Sequence, residues 1–124
     1  MKTIYSIVVL IVFILVNSSA WSLSDDECDY SGNQSQMNAC AVRDFSIADK
    51  ELNQIYKQLM SALAEPKKIA LQKQQRAWLK DRDPKCHKEA DDEAEGGSMW
   101  PMVYQSCRAK STQERVKVLK KWER

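Results

Sequence analysis

The chain has 124 residues, 29% of them charged, with a formal net charge of +2 at pH 7. That length suits one domain, and the near-balance of 19 basic against 17 acidic residues argues against a general nucleic-acid binder. Four cysteines and a single histidine leave little material for a metal centre or a redox motif.

The chain begins with Lys2, then an almost unbroken apolar run from Ile4 to Val16, then the small residues Asn17-Ser18-Ser19-Ala20. This is the layout of a secretory signal peptide, and the run is shorter than the roughly 20 residues a spanning helix needs. Residues 1–22 are therefore expected to be a cleaved signal, the cut falling after Ala20 or after Ser22, with 23–124 as one helical domain and no stable membrane anchor. The first cysteine, Cys28, follows Asp25-Asp26-Glu27 rather than the apolar run, so a lipid-anchored product is not expected.

Met37, Ala41, Phe45, Ala48, Leu52, Ile55, Leu59 and Leu63 recur at steps of three or four, which predicts a helix from about Ser35 to Ala64. Glu65-Pro66 interrupts it. Because proline fits a first helical turn, a second helix is expected to start near Pro66, carry Ile69, Leu71, Trp78 and Leu79, and stop at Asp83-Pro84. The polar stretch from Lys85 to Ser98 ends in Gly96-Gly97 and reads as an exposed acidic loop. A third helix is predicted from about Met99 to Trp122, with Pro101 in its first turn and Met102, Val103, Val116 and Leu119 as apolar positions. Strand signals are scarce. The fold class expected is all-α, a small antiparallel three-helix bundle with two disulfides.

An even cysteine count behind a signal peptide reads as a disulfide framework. Of the three possible pairings, Cys28–Cys40 with Cys86–Cys107 is favoured, since each closes a local loop around a helix junction. No pair has C-x-x-C spacing, and His87 alone cannot complete a zinc set, so no metal or cofactor is expected.

Polar residues repeat at helical spacing inside the apolar stripes. Asp49, Leu52, Asn53 and Tyr56 share one face of the first helix, Gln75, Trp78 and Arg82 with the adjacent Asp83 share one face of the second, and Thr112 and Arg115 lie three apart on the third. Asn53 and Gln75 have donors and acceptors, and Arg82 has a fork suited to a carboxylate such as Asp49. Buried polar groups need partners, so these patches are expected to meet in a network that sets the register of the three helices. No Ser–His–Asp or Cys–His arrangement can be assembled, and a catalytic role for Asp49 with Asp83 is not expected, so the chain reads as a binding protein rather than an enzyme.

The ordered string Met37-x-x-Cys40, Asp49-x-x-Leu52-Asn53-x-x-Tyr56, Gln75-x-x-Trp78-x-x-x-Arg82-Asp83-x-x-Cys86, Gly96-Gly97-Ser98, Cys107 and Thr112-x-x-Arg115-x-x-x-Leu119 resembles the LprI-type lysozyme-inhibitor family of secreted bacterial envelope proteins. The resemblance runs from about Cys28 to Leu119. It implies a small helical, disulfide-bonded, periplasmic or secreted domain, and a lysozyme or another envelope protein as partner. Many lysozymes are strongly basic, so the acids Glu89, Asp91, Asp92, Glu93 and Glu95, with Trp100 as an aromatic neighbour, are the expected contact surface. The alternative expectation is an envelope interaction module with a non-lysozyme partner. It would use the polar faces around Asn53, Gln75 and Arg82 or the basic tail from Arg108 to Arg124.

Overall fold

The computed structural model describes residues 28–122, and the expected signal peptide over 1–22 lies outside them. Three helices follow in order: α1 (Gln34–Ala62), α2 (Glu65–Ala94) and α3 (Trp100–Lys120). Among the described residues there is no strand. The fold is the all-α three-helix bundle expected, with disulfides Cys28–Cys40 and Cys86–Cys107.

Each helix begins where its sequence supplies an N-terminal device. For α1 this is a capping box: Asn33 accepts from the Gln36 backbone N–H, and the Gln36 side chain accepts from the Asn33 N–H. Prolines occupy the first turns of α2 and α3, where the absent N–H would have had no helical partner. Lys117 and Lys120 stand in the last turn of α3, the favourable place for cations.

The second helix does not stop at Pro84 as expected; it continues to Ala94 with Pro84 inside it. The acids from Glu89 to Glu93 therefore lie on a helix rather than a loop, and Glu95 is its C-cap. Two facts account for this. Lys80 and Pro84 are both exposed, so the carbonyl that loses its helical N–H opens to water. Beyond the proline, Cys86 and Ala90 are fully buried, and Cys86 is tied to α3 through Cys107. Gly96, with φ of 68°, supplies the left-handed residue that ends the helix, and the Gly97 N–H returns to the Ala94 carbonyl. The connection to α3 then spans only Glu95 to Met99.

Consecutive helices run antiparallel, and α3 packs against both others. The apolar core lies towards the α1–α2 turn, where Leu52 and Leu59 of α1, Leu71 of α2, and Val116 and Leu119 of α3 are buried together. At the other end the buried positions are small: Cys40, Ala41, Ala48, Cys86, Ala90 and Ala109. Small side chains let the backbones approach closely but bury little apolar area, so the disulfides contribute most at that end. Ile69 and Leu79, read as core positions from sequence, are exposed, because the buried face of α2 runs through Leu71, Gln75, Arg82, Cys86 and Ala90.

Candidate functional site

Midway along the bundle, a polar layer crosses all three helices. Arg82 is its centre and is only 5% exposed. Its Nε donates to Asp83 Oδ1 at 2.8 Å and its Nη1 to Thr112 Oγ1 at 3.3 Å, while Nη1 stands 3.6 Å from Asp49 Oδ1. Asp49 also accepts from Asn53 Nδ2 at 3.2 Å. One turn away, Arg115 Nε donates to the buried Gln75 Oε1 at 2.8 Å. Burial lowers the pKa of Arg115 from its ordinary value. Its Nη2 is buried without a hydrogen-bond acceptor among the described residues, but its guanidinium lies 5.8 Å from the centre of the Trp78 ring. Tyr56 packs against the apolar core instead of entering this layer.

Two residues outside the sequence motifs complete the layer. Arg108 Nε donates to Asp83 Oδ1 at 3.1 Å, and its guanidinium sits 3.8 Å from the centre of the Phe45 ring. Burial pushes the Asp83 carboxyl up, but the Arg82 and Arg108 guanidiniums outweigh that and hold it below the usual range. The Arg82 guanidinium lies 5.1 Å from both Phe45 and Trp78. Trp100, Tyr104 and Arg108 follow at four-residue steps on α3, with Trp100 stacked on Tyr104 at 5.0 Å and Arg108 5.2 Å from Tyr104. Rings and cations thus alternate from Tyr104 to Arg115, with Phe45 of α1 and Trp78 of α2 as links. The four-residue spacing of Trp100, Tyr104, Arg108 and Thr112 was the available sequence signal for Arg108. Phe45 carried none beyond its place in the α1 stripe.

The layer is closed to a partner at Gln75, Arg82 and Thr112, all of which are buried with their polar contacts inside the chain. Asn53 is exposed, and a cleft of about 640 Å³ beside it is lined by Phe45, Asp49, Lys50, Asn53 and Arg108 among others.

The acidic end of α2 is organised differently. Asp91 accepts from Trp100 Nε1 at 2.7 Å through Oδ1, and its Oδ2 stands 3.1 Å from His87 Nδ1. Asp92 pairs with Lys88 at 2.5 Å. Glu89, Glu93 and Glu95 are exposed and have no ion-pair partner among the described residues. Trp100 is half-buried, its indole N–H committed to Asp91 and its ring to Tyr104 and His87. Acids in the last turn of a helix oppose the macrodipole, and α2 has no base in that turn to offset them. The cluster therefore lowers helix stability slightly. No group of three or more metal-ligating side chains is assembled among the described residues.

Comparison with known proteins agrees in scope with this arrangement. The family described as lysozyme inhibitor LprI matches residues 24–119, which take in α1, α2 and all but the last residue of α3. Among curated proteins, "Uncharacterized protein R02472" of Rhizobium meliloti (strain 1021) is 37% identical over 109 residues, covering 77% of this chain and 78% of that one. No solved structure matches the chain.

Proposed function

The chain belongs to the LprI lysozyme inhibitor family, and from that premise we propose that it is a periplasmic or secreted, non-catalytic protein that inhibits a lysozyme by binding it. The two disulfides support an oxidising compartment outside the cytoplasm. The surface proposed for the contact is the C-terminal end of α2, with Glu89, Glu93 and Glu95 meeting the basic enzyme. Asp91 and Asp92 are already paired within the chain, so they shape this surface more than they carry its free charge.

The observation that carries this reading is three exposed, unpaired glutamates on one end of α2, two of which, Glu93 and Glu95, stand where they weaken their own helix. A protein under selection for stability alone would gain by replacing them. Charge complementarity of this kind acts mainly on the association rate and makes it fall with salt.

The test is a clearance assay with bacterial cells, a basic lysozyme and the purified protein. Inhibition at low ionic strength that weakens as salt rises is the expected result. Unchanged lysis under a large molar excess at low salt would defeat the proposal. The triple variant Glu89→Gln, Glu93→Gln, Glu95→Gln is expected to inhibit less through slower association, and equal potency would remove this surface from the mechanism.

A further inference from the structure

The layer of Asp49, Arg82 and Thr112 divides the bundle into two halves of opposite charge. The half carrying the α2 C-terminus, residues 28–48 and 83–111, holds five Lys/Arg against eight Asp/Glu. The half carrying the α1–α2 turn, residues 50–81 and 113–122, holds eleven Lys/Arg against four Asp/Glu. Windows of the sequence already lean one way, with seven Lys/Arg against three Asp/Glu over 50–81 and four against six over 83–111; the packing of α1 and α2 against α3 gathers them at opposite ends.

The basic half has an ordered outer face. Ile69, Lys73, Arg76 and Lys80 recur at i, i+4, i+7 and i+11 on α2, all exposed, on the side of the helix opposite Leu71, Gln75, Trp78 and Arg82. Ile69 is 63% exposed, the most exposed large apolar side chain among the described residues. On α3, Lys117, Val118 and Lys121 are exposed, and Lys57 and Lys67 are exposed on the neighbouring elements. Three of the bases at this end are committed: Lys120 pairs with Glu51 at 2.7 Å, Lys68 contacts Glu65 at 3.5 Å, and Arg115 donates to Gln75 at 2.8 Å. No salt bridge is made by Lys73, Arg76, Lys117 or Lys121 among the described residues.

We propose that the basic half, led by the Ile69–Lys73–Arg76–Lys80 stripe, docks on an anionic lipid surface. Lysines with long apolar stems can follow their charges to the headgroups, while Ile69 and Val118 enter the interface between headgroup and acyl chain. The exposed apolar groups among the bases favour a bilayer over a soluble polyanion, which would leave Ile69 in water. No described helix is long and apolar enough to cross a membrane; the association proposed is a peripheral one through surface charge and apolar side chains. The inference stands independently of lysozyme binding, which concerns the opposite end.

The purified protein is sedimented with vesicles of phosphatidylcholine alone or of phosphatidylcholine containing phosphatidylglycerol. It is expected to pellet with the anionic vesicles only and to be released by high salt. The variant Lys73→Glu, Arg76→Glu, Lys121→Glu, altered only at exposed positions, is expected to bind at least about a hundredfold more weakly. Ile69→Ser is expected to weaken vesicle binding while leaving any retention on duplex DNA or polyphosphate unchanged. The glutamate-to-glutamine variant of the acidic end is expected to pellet as the parent does. A protein that stays in the supernatant with anionic vesicles at low salt would overturn the inference. So would full binding by the charge-reversed variant, or vesicle binding indifferent to Ile69→Ser and matched by soluble polyanions.

Discussion

Arg82→Ala removes a guanidinium that holds Asp83, Thr112 and Asp49 together and lies between two rings. The size of the loss depends on what the partners can do afterwards. Asp83 keeps Arg108 at 3.1 Å and its side chain is 42% exposed, and Asp49 keeps Asn53, so neither carboxylate becomes a buried orphan. Thr112 is fully buried and loses the donor to its hydroxyl oxygen. Hydrogen bonds to a charged group contribute about 1.5–3 kcal/mol, and each partly desolvated cation–ring contact about 0.5–1 kcal/mol. The expected destabilisation is about 3 kcal/mol, the lower end of what breaking a buried ion pair costs. Urea unfolding followed by far-ultraviolet circular dichroism, with the disulfides intact, measures it. The melting temperature should fall by more than about 10 °C. Arg82→Lys should recover little, because an ammonium cannot reach Asp83 and Thr112 in the fork geometry. A loss under about 1 kcal/mol for the alanine variant, or a lysine variant as stable as the parent, would refute the assignment of Arg82 as the centre of the layer.

Asp83 has a carboxyl held below its unfolded value, so the folded state binds fewer protons, and the stability it contributes is lost as pH falls below the ordinary aspartate value of 3.8. Asp83→Asn should flatten that part of the acid-unfolding profile. Reduction of Cys86–Cys107, or its replacement by alanines, should destabilise by about 3 kcal/mol for a separation of 21 residues. Amide exchange should then accelerate in α2 beyond Pro84 before it does between Glu65 and Arg82, since the disulfide secures the segment after the proline. Burial first, then the hydrogen bond to Asp44, pushes the Tyr30 phenol up to about 12. Its contribution is fully present below pH 10 and is lost as pH rises through 12. Tyrosinate absorbance should show a late-titrating phenol that disappears in Tyr30→Phe.

Much of the local structure was legible in the sequence. The α1 stripe from Ala41 through Leu52 to Leu59, the prolines opening α2 and α3, and the turn at Gly96-Gly97 are short-range signals set by helical period and backbone sterics, so they can be read without knowing what packs where. The cysteine pairing was favoured for a similar reason, because both bridges are local in sequence. The polar motif residues were also legible as a set, since Gln75, Arg82 and Thr112 sit at positions where a period of three to four would place core side chains.

What the sequence could not decide is where a local rule loses to packing. Proline at position 84 argues locally for a stop. The stop does not occur because Cys86 and Ala90 bury against α3 and the missing hydrogen bond falls on the wet side of the helix. The role of Arg108 likewise depends on a ring from α1 and a carboxylate from α2 arriving beside it. The acidic and basic windows were visible in the chain, at 83–111 and 50–81, but not which of them would share an end of the fold. The division into two halves arises because an up-down-up bundle brings residues 50–81 alongside 113–122, and like charges separated along the chain become neighbours only when that packing is made.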